Sequence, residues 1–352
     1  MKRLLIVKMS ALGDVVMTIP ALMALKAAFP EAEIDWLVEP ASKDLLEGRP
    51  DINRLLVSPR PLAGKLFRTF HPFKAARVWL DFFKSLRDRR YDAVLDFQGL
   101  FKSAINVMLS SSPRKIGFAG TRELSSLALT EKLPPYDPQR HALLRYLDLV
   151  GYLGAEPVPG WQDKPYLHPS PKARQKASEL LKPIGEAPFI ALSPGTRWPT
   201  KLWPLSNWER LAELLNDARL PMVALGGPSE KEWCDLLAER GALSLAGKTS
   251  LDVLAAVLAQ AKMLITPDSG PMHLAVSVGC GGLALFGPTR PERTGPFGDL
   301  FEILTPDVDC LGCLKRRCPL SPQKCLGLLT AQQVAQRAVS MMSRLPDKPV
   351  PE

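Results

Sequence analysis

Three short segments of this 352-residue chain hold side chains with chemistry to offer. The first is Lys8-Met9-Ser10-Ala11-Leu12-Gly13-Asp14, a cation and a carboxylate around a turn of small residues. A carboxylate at that position can take a proton from a hydroxyl or, more plainly, cap the helix that follows. The second is Ser193-Pro194-Gly195-Thr196-Arg197-Trp198-Pro199-Thr200-Lys201, which offers hydroxyls, two cations and a flexible glycine to phosphate oxygens. The third is Pro267-Asp268-Ser269-Gly270-Pro271-Met272-His273. There Pro271 falls near the first helical position, where proline is favoured, and the free N–H groups of a helix start form an anion site. Gly13 is the sole glycine of the first segment, so the GxGxxG of a dinucleotide site is missing. Two phosphate-suited loops in one half and a carboxylate in the other point to chemistry on a nucleoside diphosphate.

The elements that must position these loops alternate along the chain. Strands are expected at Arg3 to Lys8, Glu33 to Val38, Tyr91 to Phe97 and Arg114 to Phe118, and helices near 15–29, 72–88 and 99–110. His141 is expected to open a further helix. A proline-rich stretch, 155–172, then interrupts the pattern. Beyond it come strands at Phe189 to Ser193, Met222 to Gly226, Met263 to Thr266 and Gly281 to Phe286. Helices are expected at 205–218, 230–240, 251–261 and 271–278, with a last one near 331–342. Alternating βα units imply parallel sheets covered by helices. The reading is α/β: two Rossmann-like domains, 1–160 and 161–330, facing a central cleft, with a C-terminal helix and tail over 331–352. In open sheets of this kind, ligands bind at the carboxyl ends of strands, where all three loops lie.

Hydrophobic residues make up 46% and charged residues 23%, which excludes disorder and a disulfide scaffold. No run is long enough to span a bilayer, and Lys8 and Asp14 interrupt the apolar N-terminus too early for a signal peptide, so a cytoplasmic chain is expected. The net charge of +9 is concentrated. Arg60, Lys65, Arg68, Lys74, Arg77, Lys84, Arg87, Arg89 and Arg90 face only Asp81 and Asp88 over residues 60–90. Such a block calls for an anionic partner (nucleic acid, membrane surface or phosphorylated substrate) or is a solvated helix face. Phe67, Phe70, Phe73, Trp79, Phe82 and Phe83 interleave with the cations, as base stacking would require. The spacing Phe73, Val78, Leu80, Phe83, Leu86 instead suggests a helix burying an apolar side, so nucleic acid is not the expected partner.

Several segments resemble glycosyltransferase family 9, the ADP-heptose:lipopolysaccharide heptosyltransferases. They are Leu5-Ile6-Val7-Lys8 with Gly13-Asp14, Ile34-Asp35-Trp36-Leu37-Val38-Glu39, and Asp96-Phe97-Gln98-Gly99-Leu100-Phe101-Lys102-Ser103. Lys201-Leu202-Trp203-Pro204 and Asp268-Ser269-Gly270-Pro271-Met272-His273 continue the likeness. The second and third segments are most like the members that add the first heptose to the Kdo of lipid A. The resemblance implies a GT-B fold and inverting transfer of heptose from ADP-heptose, with no cofactor. It makes Asp14 the catalytic base and Lys201 the cation for the departing diphosphate. Thr196, Glu230, Asp268, Ser269, Gly270, Met272 and His273 would hold the nucleotide sugar. Ser10, Gly13 and Lys102, with Arg60, Lys65 and Arg68 of the basic block, would meet a Kdo-lipid A acceptor at the anionic inner-membrane surface. A metal-free route is expected because no DxD-like carboxylate pair sits in these loops. A nucleotide-sugar 2-epimerase on the same fold, or a heptosyltransferase acting at a later core position, is the alternative.

Cys310, Cys313, Cys318 and Cys325 follow CxxC-x4-C-x6-C. One clean CxxC with two uneven spacings leaves three readings open: a structural zinc site, free or redox-labile thiols, or disulfides. Catalysis is not expected there.

Overall fold

A computed structural model describes residues 1–320 and 325–345, which divide into two compact units, Met1–Trp161 and Gln162–Glu352. The tail beyond residue 345 lies outside the described residues. The strands of unit 1 are β1 (Arg3–Val7), β2 (Glu33–Val38), β3 (Arg54–Val57), β4 (Ala93–Asp96), β5 (Arg114–Phe118) and β6 (Glu131–Leu133). Its helices are α1 (Leu12–Ala28), α2 (Arg60–Arg68), α3 (Pro72–Arg87), α4 (Phe101–Leu109) and α5 (Ala142–Gly151). Unit 2 begins with α6 (Pro171–Leu181) and β7 (Ile190–Leu192), then α7 (Leu205–Asp217), β8 (Met222–Ala224), α8 (Lys231–Ala238) and β9 (Leu243–Ser244). It continues through α9 (Leu251–Gln260), β10 (Met263–Pro267), α10 (Gly270–Ser277), β11 (Gly281–Leu285), α11 (Pro291–Thr294), β12 (Phe301–Leu304) and α12 (Ala331–Arg344).

Both sheets are wholly parallel and share one order. Unit 1 reads β3-β2-β1-β4-β5-β6, and unit 2 reads β12-β11-β10-β7-β8-β9, the same path traced from the opposite edge. In each, the order reverses beside the first strand: between β1 and β4, and between β7 and β10. The loops leaving those four strands flank the switch points, where ligands sit in such sheets. They carry Ser10 and Asp14, Gln98 and Lys102, Thr196 and Lys201, and Asp268 and His273.

The central strands are continuous apolar runs because helices cover both faces. Leu4 to Val7, Val94 and Leu95 are fully buried in unit 1, as are Ile190 to Leu192 and Met263 to Ile265 in unit 2. In unit 2 the core extends to α12, whose Ala331, Val334, Ala335 and Ala338 join Trp203, Trp208 and Leu211. β3, β6, β9 and β12 were not expected from the sequence. Each lies at or next to a sheet edge, and all are short with few fully buried positions.

The basic block forms a helical hairpin, and here the expected apolar stripe needs correcting. Leu86 is buried as expected, with Val78 and Phe83 half-buried, but Phe73 and Leu80 are exposed, and Ala75 and Phe82 are buried in their place. Those residues, with half-buried Trp79 between them, fall on one helical face; Phe73 and Leu80 do not. Leu62, Phe67 and Phe70 are exposed with them, Phe70 at 93% and Phe73 at 90%. Among the described residues no helix is long and apolar enough to cross a membrane.

Candidate active site

In unit 1 the turn after β1 is pinned from two sides. Gln98 Oε1 accepts the N–H groups of Met9 and Ser10, both at 3.0 Å, and the indole of Trp36 donates to Lys8 O at 3.0 Å. This turn delivers Asp14 to the third position of α1, not to the N-cap, which is Ala11. Its Oδ2 still performs half of a capping box, accepting the Ala11 N–H at 3.2 Å. Oδ1 accepts the Tyr146 hydroxyl at 2.6 Å. Tyr146 in turn accepts from Lys8 Nζ at 2.7 Å, and Lys8 also donates to Phe97 O at 3.0 Å. Lys8 lies 3.6 Å from Asp14, yet the two differ in solvent: the lysine side chain is 3% exposed and the carboxylate 35%. A buried cation and tyrosine thus hold a carboxylate that faces outward.

Burial dominates the titration of this cluster. It lowers the Lys8 ammonium, with Asp14 and Asp96 opposing, and raises the Tyr146 phenol well above its ordinary value, aided by the Asp14 charge. Tyr146 therefore stays protonated as donor to Asp14. Asp96 is raised by burial, although the N–H groups of Gly99 and Gln98 and the Ser103 hydroxyl bond it.

Asp14, Lys8 and Tyr146 line a cavity of about 200 Å³ together with Gln98, Arg122, Tyr136 and Arg145. The Arg145 guanidinium lies over the Tyr136 ring at 4.3 Å, and its buried Nε has no hydrogen-bond partner among the described residues. Two arginines beside an outward carboxylate suit an anionic ligand that carries a hydroxyl. The sequence reading missed both, because each comes from a segment far from the motifs. Ser10 and Lys102 do meet: Lys102 Nζ donates to Ser10 Oγ at 2.5 Å and to Glu39 Oε1 at 2.8 Å. Arg60 pairs with the same Glu39 oxygen at 3.3 Å. Glu39 is the acid that gathers the three, standing at the end of the Ile34–Glu39 segment. Gly13 is buried in α1, whereas Lys65 and Arg68 lie farther along α2, exposed and outside the cavity lining.

Unit 2 assembles its own set. Lys201 Nζ is paired with Asp268 Oδ2 at 2.7 Å, and the Thr196 hydroxyl donates to Asp268 O at 3.1 Å, so the loops after β7 and β10 are one structure. Two residues on, Trp203 fixes the chain: it is fully buried, stands edge-on to Trp208 and donates to Leu329 O at 2.8 Å. Ser269 precedes α10 and its hydroxyl bonds Thr266 Oγ1 at 2.9 Å, leaving the first-turn N–H groups of α10 without a side-chain cap. Met272 and His273 are buried in that helix. Glu230 packs against the same region, since a Cβ at Gly195 would lie 2.5 Å from Glu230 Cγ. Its carboxylate accepts from Gly227 N–H at 2.8 Å and Ser229 Oγ at 2.6 Å.

The four cysteines do not gather. Cys310, Cys313 and Cys318 are free thiols with the first two exposed, and Cys325 is buried against Gly287. Among the described residues no group of three or more His, Cys, Asp or Glu is arranged to hold a metal ion.

Residues 79–324 match the model of glycosyltransferase family 9 (heptosyltransferase). The chain belongs to this family. It is 31% identical to lipopolysaccharide heptosyltransferase 1 of Pseudomonas aeruginosa, over 97% of this chain and 98% of that protein. The Escherichia coli K12 protein of the same name is also 31% identical, over 84% of this chain and 91% of its own length. Among solved structures, the E. coli heptosyltransferase WaaC with ADP-2-deoxy-2-fluoro heptose aligns with a TM-score of 0.75 at 29% identity, covering 96% of this chain and 99% of that one. The fold is GT-B, as expected from the alternation of strands and helices.

Proposed function

We propose that this glycosyltransferase moves heptose from ADP-heptose to the Kdo of a lipid A-linked lipopolysaccharide precursor, by a single inverting displacement. The observation that carries the reading is Asp14: a half-exposed carboxylate, oriented by Tyr146 and the Ala11 N–H, in a cavity shared with Arg122 and Arg145. A sugar hydroxyl is a poor nucleophile at neutral pH, and a positioned carboxylate that takes its proton contributes roughly 10²–10⁴-fold. The arginines suit the carboxylates of Kdo, which bring the acceptor hydroxyl to the base. Charge on the departing ADP is met by Lys201 and the uncapped N–H groups of α10, which act where the negative charge grows. This is the work a metal ion would otherwise do, so activity is expected to survive EDTA; loss restored by Mg²⁺ would overturn that part.

The acceptor is anchored in lipid, and the hairpin of α2 and α3 supports a peripheral seat on the cytoplasmic side of the inner membrane. It joins Lys65, Arg68 and Lys74 to exposed Phe67, Phe70 and Phe73. The deciding experiment is incubation with ADP-heptose and Kdo₂-lipid A, followed by mass spectrometry of the lipid. One added heptose supports the reading. Addition only to an acceptor that already bears heptose would assign a later core position. Release of a free sugar without acceptor would favour the epimerase.

A further inference from the structure

The loop that carries most of the clustered cysteines docks on the carboxyl ends of the unit 2 strands. Gly312 N–H donates to Gly287 O at 2.9 Å and Leu314 N–H to Pro288 O at 2.7 Å, both acceptors just past β11. The Thr200 hydroxyl, one residue before Lys201, donates to Lys315 O at 2.8 Å. These bonds bring the next residue, Arg316, onto Trp198: its guanidinium carbon lies 4.8 Å from the ring centre. Lys201 Nζ lies 4.7 Å from the same centre. One indole thus organises two cations, an arrangement stabilised by the ring's quadrupole.

The two cations differ in what balances them. Lys201 is compensated by Asp268 at 2.7 Å, a pair largely screened from solvent. Arg316 is exposed and has no carboxylate partner among the described residues. A leaving nucleoside diphosphate brings several negative charges to a lysine whose own charge is already matched.

We propose that Arg316 is a second cation for that diphosphate, held beside Lys201 by Trp198 and carried there by the cysteine-rich loop. This rests on the reading of Lys201 as the diphosphate lysine. A guanidinium suits two adjacent phosphates because its donors form a planar fork.

The test is calorimetric titration of the full chain with ADP and with AMP, which lacks the second phosphate. Arg316→Ala is expected to weaken ADP roughly tenfold, as loss of one charge-assisted contact does. AMP affinity should change less than threefold, and the dependence of ADP binding on salt should become shallower. Arg316→Lys should recover part of the loss, and Arg317→Ala, the neighbouring exposed cation, should bind both nucleotides normally. Trp198→Phe should keep ADP affinity, whereas Trp198→Leu should reduce it beyond Arg316→Ala, because both cations lose their platform. Unchanged ADP binding in Arg316→Ala, or equal losses for ADP and AMP, overturns the proposal. Failure of the wild type to bind ADP, or normal binding by Lys201→Ala, would sink the underlying reading instead. Since Arg316 is exposed, its substitution leaves the core intact, and an unchanged melting temperature checks this.

Discussion

Each oxygen of Asp14 already accepts one hydrogen bond, from Ala11 N–H and from Tyr146. Lys8 Nζ adds a charge 3.6 Å from Oδ1, so the carboxylate is held in one orientation by three groups of unit 1. Asp14→Asn retains the shape and an acceptor oxygen but no basicity. The expected outcome is a kcat loss of roughly 10²-fold or more, with ADP affinity in calorimetry unchanged because the residues proposed to hold the nucleotide lie in unit 2. Near-normal turnover would reduce Asp14 to a capping role. Tyr146→Phe keeps the ring against Phe97 and under Lys8 while removing the bridge between Lys8 and Asp14. It should lower kcat about tenfold and cost ~1–3 kcal/mol of stability in urea unfolding, since buried Lys8 loses an acceptor. Stability loss with intact kcat would make Tyr146 purely structural. Cys234 offers a different check. Burial and the nearby Glu230 and Asp235 charges push its thiol up to about 12. The thiolate is the reactive form, so at pH 8 iodoacetamide should label Cys310 and Cys313 in peptide mapping and leave Cys234 untouched. Rapid native-state labelling of Cys234 would show that α8 opens readily.

At the scale of elements, the hairpin of α2 and α3 unites what the charge count and the aromatic count had shown separately. Lys and Arg near an anionic bilayer are each worth about 1 kcal/mol, so three suffice for reversible binding. Reversing Lys65, Arg68 and Lys74 to Glu should abolish sedimentation with anionic liposomes and slow transfer to the lipid acceptor. Transfer to a deacylated acceptor should be little affected. Arg60 is left in place because it pairs with Glu39, which also binds Lys102. Phe70→Ser with Phe73→Ser should weaken liposome binding even at high salt, where screening removes only the electrostatic part. Equal slowing on both acceptors would move these cations into the sugar site. The hairpin also shows how far sequence reaches. Its helix and charge were legible because both are local; the buried face was legible only in part, at Leu86, Val78 and Phe83, since Phe73 and Phe82 differ only in what α3 rests on. The same holds at the active sites. Asp14, Lys201 and Asp268 lie on strand-end loops that pattern and resemblance single out. Glu39, Arg122, Arg145 and Arg316 become visible only once the sheets bring distant segments together.

For the molecule as a whole, two copies of one sheet order place four functional loops at two switch points. The close packing this requires is seen at Gly282 in β11, where a Cβ would lie 1.8 Å from the Leu264 carbonyl oxygen of β10. Because that neighbour is backbone, relief means moving a strand that carries Asp268. Gly282→Ala should lower the melting temperature steeply or prevent soluble expression, and ADP binding should fall with it. Gly64 in α2 has open space around its Cβ position, and alanine there should stabilise by up to ~1 kcal/mol. Equal melting temperatures for the two variants would mean that β10 and β11 separate at little cost.

The parallel order also has a consequence for synthesis. No strand can pair with its sequence neighbour through a hairpin: Arg3 is matched by Glu33, and Leu4 finds its second partner only at Ala93. Ribosomes add about 5–20 residues per second, so the central strand of unit 1 spends several seconds with one apolar edge unpaired. Unit 2 repeats the wait, since Ile190 meets Met263 across β7 and β10. Unit 1 is complete in sequence before that second wait begins. The nascent chain therefore presents two separate windows of exposed strand edge, each ended by the strand that completes a switch point.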